Sequence, residues 1–258
     1  MTINIQRTYI LYYFFQGSYR NIRKKGEVAI NIYQLQLAIT FSFDVQYEET
    51  NEILSNFISS AMLLDEELKT LHKLNTPKFY IFSLPTPIER EDKAYKKGRV
   101  YIFDIRSFRQ DMILKFKLLL PRASRDIRIL TSEIRTIKPR YINKLISLTP
   151  VVSVLTDKCW VKEDGMELLM GRIHSNAVKK AKILIGDSFG EPADSFIECI
   201  NLLNIKPIKL KYKTSSILGN KLEIIPRSDD TSQALAWIIV GAGLLEKGSQ
   251  GYGYCIAK

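Results

Sequence analysis

GAGLLEKGSQGYGYCIAK, residues 241–258, carries five glycines, at 241, 243, 248, 251 and 253. A glycine-dense loop most often cradles phosphate at a strand-to-helix turn, where backbone N–H groups approach a nucleotide. That role needs a helix after the loop, and the few residues past Gly253 are not expected to form one. The order G-x-x-x-x-G-K-[ST] is also missing. No cofactor is therefore expected, and the loop needs another explanation.

Around it the chain reads as alternating strands and helices. AITFSFDVQYE (38–48) alternates like a half-buried strand. TNEILSNFISSAMLLDEELKTLH (50–72) reads as one helix, with Ile53, Leu54, Phe57, Ile58 and Met62 on a face and Thr50 or Asn51 as cap. KFYIFSL (78–84) and RVYIFDI (99–105) are strands joined by a charged loop. A helix over 106–120 stops at Pro121, and TSEIRTIK (131–138) is a strand. The pattern then restarts: LTPVVSVL (148–155) as a strand and MELLMGRIHSNAVKKAKILI (166–185) as a helix. KPIKLKYKT (206–214) and KLEIIP (221–226) form a hairpin turning at Gly219-Asn220. TSQALAWIIV (231–240) is a helix, and GYGYCIA (251–257) a last strand. Each half has the order β-α-β-β-α-β.

The fold class expected is α+β: tandem ferredoxin-like (RRM-like) β-α-β-β-α-β domains closed by a C-terminal glycine-rich loop. The expected boundaries are an N-terminal extension over 1–37, a first domain over 38–145 and a second over 146–258. Within the extension, YILYYFF reads as a strand rather than a signal peptide.

The 258 residues carry a net charge of +11 and a pI near 9.4. A balance this basic points to an anionic partner. Residues 96–140 hold thirteen Lys or Arg against four Asp or Glu, a surplus of nine. Arginine dominates there, as suits phosphate oxygens, so nucleic acid is the favoured partner, with Arg122, Arg125 and Arg128 as candidate contacts. In KPIKLKYK, Lys209, Lys211 and Lys213 alternate with apolar residues, which puts three ammonium groups on one sheet face. That face reads equally as a phosphate-binding surface or as the lysine guard of an edge strand. Cys159, Cys199 and Cys255 are odd in number and widely spaced, which suits a reducing cytoplasm and no disulfide framework. Neither a metal site nor a membrane span is expected: the acids are scattered, and no apolar run approaches ~18 residues.

Two stretches carry a family resemblance. Gly241-Ala242-Gly243, then LLEKGSQ, then Gly251-Tyr252-Gly253 resembles the C-terminal G-x-G…G-[FY]-G of the CRISPR-associated endoribonucleases of the RAMP superfamily, which process precursor guide RNA. LHKLNTPKFYIFSL (71–84) is similar to the catalytic segment of that family, in which a histidine precedes a lysine by six residues, ahead of an aromatic strand. His72 and Lys78 stand at those positions.

The resemblance covers roughly residues 38–258. It implies a metal-independent endoribonuclease that cleaves CRISPR precursor RNA within repeats to release crRNA. In such a reaction the ribose 2′-OH attacks its own 3′-phosphate, giving a 2′,3′-cyclic phosphate and a 5′-OH. His72 would be the general acid/base and Lys78 the clamp on the developing phosphorane charge. Gly241, Gly243, Lys247, Gly251 and Gly253 would belong to the RNA-binding surface. The implied partners are CRISPR repeat RNA, both precursor and mature crRNA. Effector-complex subunits and a second copy of the chain are further partners that the resemblance admits.

Some members add a tyrosine about fifteen residues before the histidine, where this chain has Phe57. Tyr47 and Tyr80 are candidates for its role. The alternative reading is therefore an inactive RNA-binding RAMP subunit. His174, the remaining histidine, reads as facing solvent or RNA, a weak substitute base.

Overall fold

The computed structural model describes residues 30–89, 91–212 and 215–258. The strand expected at YILYYFF and the Lys213 side of the basic face lie outside them.

The first half begins with β1 (Ile32–Phe41), in which Leu35, Leu37, Ile39 and Phe41 face one way, toward helices. Gln34, Gln36 and Thr40 face the other way, as a period of two requires. The strand starts before the expected 38–48 segment, so the boundary expected at residue 38 falls inside β1. There follow β2 (Val45–Gln46), α1 (Tyr47–Met62), α2 (Glu66–Lys73), β3 (Tyr80–Phe82), β4 (Ala94–Tyr95), β5 (Tyr101–Ser107), α3 (Gln110–Leu119) and β6 (Ile127–Ile137).

The long helix expected over 50–72 is two helices. Asp65 leaves helical geometry and accepts from Leu68 N at 2.9 Å, an N-cap that restarts the chain as α2. Thr50 and Asn51 do not cap α1, which starts at Tyr47. Both are buried within it, and the Thr50 hydroxyl donates back to Gln46 O at 2.9 Å. Leu54, Phe57, Ile58 and Met62 are buried as expected.

The sheet order is β3-β5-β1-β6, with all three pairings antiparallel. Numbering the four long strands by their order in the chain, this is 4-1-3-2 read from β6.

The second half repeats that arrangement with β7 (Leu145–Ser147), α4 (Met166–Ile185), β8 (Ile197–Leu202), β11 (Leu222–Pro226), α5 (Asp230–Ala242) and β12 (Cys255–Ala257). Its sheet order, β12-β7-β11-β8, is again 4-1-3-2 and antiparallel. Three expectations change here. Residues 148–155 are not a strand: Pro150 lacks a ladder donor, and only Val151 and Val154 make isolated bridges, to Asn220 and Cys159. The expected 206–226 hairpin is instead β9 (Ile208–Tyr212) paired with β10 (Ser215–Gly219), with Lys211 opposite Ser216. β11 pairs with β7 and with β8, a strand whose Glu198 and Asn201 blur its alternation. The last strand begins only at Cys255, because Gly251 and Gly253 sit at φ +79° and +75°, outside strand geometry.

The halves share a core. Ile30, Ile32, Phe79 and Phe108 pack into the cluster built by α4, α5 and the second sheet. Trp237 Nε1 donates to Ile30 O at 2.7 Å. Arg106, part of the basic run in sequence, is buried between the halves. It donates to Gln34 Oε1 at 2.7 Å and Cys255 O at 2.8 Å, and stacks 4.4 Å over the Tyr254 ring. Among the described residues, no helix is long and apolar enough to cross a membrane.

Candidate active-site cleft and nucleic-acid interface

α2 is amphipathic: Leu68 and Leu71 are buried in the first core, and His72 is exposed in its last turn. The chain then turns through Phe79, which has a positive φ of 53°, into β3. In that turn the Lys78 ammonium donates to the carbonyls of Leu71 and Leu74. Leu71 O also takes the Leu74 N–H at 3.3 Å, and the ammonium adds a donor at a helix end whose last carbonyls lack regular intrahelical partners. One arrangement therefore finishes the helix and sets a cation near His72. The imidazole, though exposed on one side, is partly shielded at the helix end, and this desolvation, with the Lys78 charge second, lowers the His72 pKa below its ordinary value. Burial also lowers that of Lys78. A histidine lowered in this way is neutral near pH 7 and can accept a proton.

Beside this turn opens a cleft of about 920 Å³. Residues 75–80 form one wall, the α4 face bearing Gly171, Arg172, Ser175 and Lys179 another, and the loop from Leu245 to Ser249 a third. Lys78 lines the cleft. His72 is not among the lining residues and stands at the helix end that Lys78 caps. Arg172 is held by Ser153 Oγ at 2.9 Å, Val154 O at 2.8 Å and Glu246 Oε1 at 3.4 Å. Lys179 is exposed, whereas its neighbour Lys180 is buried and its pKa is lowered to about 8 by that burial. Among the described residues, no group of three or more His, Cys, Asp or Glu is placed to hold a metal ion.

The glycines of the loop serve close packing and positive φ. Gly241, Gly243, Gly251 and Gly253 are all buried, so none offers a surface to RNA. They let the loop press against the first half. A Cβ at Gly241 would stand 2.4 Å from the Phe108 ring, and one at Gly251 2.4 Å from the Phe82 ring. Lys247 is half-buried with φ 64°. Asn51 Nδ2 donates to Gln250 O at 3.0 Å, and the Tyr80 hydroxyl points to Ser249 O at 3.4 Å.

The tyrosine question also resolves locally. Phe57 lies in the core, 3% exposed. Tyr47 packs against the small cluster of Val152, Leu210, Ile217 and Tyr252. Tyr80 lines the cleft, yet it is buried edge-on to Phe116, and burial pushes its phenol well above the ordinary range. It braces the loop. His174 is no substitute base: its Nδ1 accepts from Phe196 N at 3.2 Å, and its Nε2 lies 3.6 Å from Glu191.

No protein-family model and no curated protein matches the chain. Solved structures do. A RAMP protein binding different RNA substrates is 19% identical, over 88% of this chain and 99% of its own, with a TM-score of 0.62. A Cas6-related protein of Pyrococcus furiosus is 19% identical, over 89% and 98%, with a TM-score of 0.61. A Cas6 product complex is 12% identical, over 89% and 100%, with a TM-score of 0.59. The chain has a Cas6 fold.

Within this Cas6 fold the expected basic residues do not converge. In the 96–140 run, Arg109 pairs with Glu67 and Asp111, Lys115 with Asp65 and Glu67, Arg99 with Glu89, and Arg135 with Glu133. Arg122 and Arg125 are exposed on the α3–β6 connection and Arg128 at the start of β6. Phe41 pairs with Ile127 at that end of the sheet, whereas Tyr33 pairs with Ser107, and Ser107 with Tyr80, at the cleft end. The eight residue steps from Tyr33 to Phe41 separate the two ends by roughly 25 Å. Lys209 and Lys211 are exposed on β9, with Leu210 buried between them, as period two requires. Lys211 is bound to Glu49 of α1 at 2.7 Å.

Residues of the Cas6 fold that sequence reasoning missed are Arg172, Lys179 and Lys180 at the cleft and Asn51 at the loop. Helical period offered one signal: Lys180 falls on the apolar face with Ile173, Ala177 and Leu184.

Proposed function

We propose that this protein is a metal-independent endoribonuclease that cuts CRISPR precursor RNA within its repeats to release crRNA. The observation that carries this reading is Lys78, which lines the cleft and caps the helix end that bears His72, with the imidazole held below its ordinary pKa by partial burial and by the Lys78 charge. The 4-1-3-2 order of both sheets supports reading the chain as two ferredoxin-like units, and likeness to a RAMP protein binding RNA supports the substrate class.

His72 takes the proton of the ribose 2′-OH, and the 2′-oxygen forms a bond to the adjacent phosphorus. The bond from phosphorus to the 5′-oxygen breaks, and that oxygen leaves with the proton that His72 had taken, which gives a 2′,3′-cyclic phosphate and a 5′-OH and returns the imidazole to its neutral form. Two Lys78 N–H bonds go to the Leu71 and Leu74 carbonyls, and the third serves the phosphorane oxygens as their charge grows.

A second reading, an RNA-holding subunit without cleavage, is favoured by Phe57 in the core and Tyr80 beneath the loop. Incubating the protein with a labelled repeat in excess EDTA, beside His72→Ala, separates the two. A single cut ending in a cyclic phosphate, slowed about 10²–10⁴-fold in the variant, is expected. Tight binding with no cut, with or without added magnesium, leaves the holding subunit.

A further inference from the structure

Lys180 is 6% exposed, and its ammonium lies 2.7 Å from Gly243 O, 2.7 Å from Leu245 O and 3.4 Å from Ala242 O. These carbonyls come from the end of α5 and the first turn of the glycine loop. A helix leaves its last carbonyls without intrahelical donors, and buried ones need a partner. Gly243 N still reaches Ile239 O and Leu244 N reaches Gly253 O, but the Gly243 and Leu245 carbonyls turn inward onto α4. Lys180 meets them there.

Two features separate this lysine from an ordinary cap. Among the described residues no carboxylate is paired with it, and Glu246, whose charge acts on it, is exposed and paired with Arg172. An unpaired buried cation is a poor choice for stability alone. The loop it grips also holds Leu245 and Lys247 at φ 58° and 64°. Side chains disfavour that region and persist in it where surrounding contacts over-determine the backbone. Leu245 to Ser249 then forms one wall of the cleft.

We propose that Lys180 is a positioning residue: its buried ammonium gathers the Gly243 and Leu245 carbonyls and so sets the 245–249 wall of the cleft that Lys78 lines. It does not touch the reacting atoms. The consequence for cleavage rests on the nuclease reading above. The claim about the wall does not.

The test uses the full chain with Lys180→Met, which keeps the stem and removes the donors, and Lys180→Arg, which keeps charge and donors. Amide hydrogen exchange, without RNA, is read at 243–251 and at β1. Lys180→Met should speed exchange at 243–251 by at least about tenfold and leave β1 as in wild type, with partial recovery in Lys180→Arg. Single-turnover cleavage of a labelled CRISPR repeat should fall about 10- to 100-fold at saturating protein, with half-saturation moved less than about threefold.

Unchanged exchange at 243–251 overturns the proposal. So does loosening of loop and β1 together, which would make Lys180 a residue of general stability only, and so does a full cleavage rate in Lys180→Met. A wild type that binds the repeat without cutting it sinks the nuclease reading, and the exchange result still decides the role of Lys180.

Discussion

Asn51 of α1 donates to Gln250 O of the glycine loop at 3.0 Å, joining residues 199 positions apart. Gly251, next in the chain, has φ +79°, and a Cβ there would meet Asn51 Nδ2 at 2.8 Å and the Phe82 ring at 2.4 Å. The loop is thus a seam between the halves, held by the Asn51 amide, by the Tyr80 hydroxyl and by the lack of side chains at its glycines.

Gly251→Ala should lose about 2–3 kcal/mol in urea unfolding, from positive φ and overpacking together. Gly171→Ala, with nothing within 4 Å of the added Cβ and a helical position, should be neutral or gain up to about 1 kcal/mol. Equal losses in the two variants would show that the seam is looser than described.

Lys78→Met removes one of the two causes that lower the His72 pKa and leaves the larger, burial. The His72 titration should therefore move upward toward 6.5 without reaching it. With two histidines in the chain, imidazole proton NMR resolves the shift, and His72→Ala assigns the signal. If the nuclease reading holds, the acid limb of the rate profile moves to higher pH with it, because the free base is the working form. A downward or absent shift would disprove the proximity of the two side chains.

Arg109, whose side chain is 3% exposed, ties Glu67 of α2 to Asp111 of α3. Burial pushes both carboxyls up, but pairing with Lys115 and Arg109 for Glu67, and with Arg109 for Asp111, holds them below 4.5 and 3.8. Depressed acids stabilise the fold above their unfolded values, and that contribution is lost as pH falls through the folded ones. Arg109→Met should cost about 2 kcal/mol at pH 7, a figure reduced because both carboxylates keep water. The gap from wild type should shrink steadily below about pH 4. Urea unfolding at both pH values measures it.

Replacing Arg122, Arg125 and Arg128 together by glutamine tests whether that remote patch follows RNA. Each lost phosphate contact lowers the slope of log affinity against log salt by about 0.7–0.9, so a drop of about two to three is expected. Filter binding of the repeat across a salt series reads it, and an unchanged slope removes the patch from the interface.

Much of this was legible in the sequence. The 3.6 period over 166–185 marks α4 end to end, and the alternation of Lys209, Leu210 and Lys211 gives their faces correctly. The resemblance singled out His72 and Lys78, and in the fold Lys78 caps the end of the helix that carries His72. Local pattern could not show that Asp65 restarts a helix inside an otherwise continuous apolar stripe, since a cap acts through one side-chain hydrogen bond and leaves periodicity intact.

The sequence by itself determined where chain segments alternate apolar and polar residues, and so which of them form helices and most of the strands. It also determined that the chain carries an excess of positive charge. Only the tertiary structure decided what those charges do. Arg106, Arg109 and Lys180 look alike in a basic sequence, yet burial turns them into a bolt between the halves, an ion-pair node and a loop clamp. The same holds for the glycines: their number is written in the chain, but their purpose lies in Phe108 and Phe82, residues far away in sequence that leave no room for a Cβ. Long-range packing assigns such roles because a side chain's free energy depends on what surrounds it after folding, which no local pattern records.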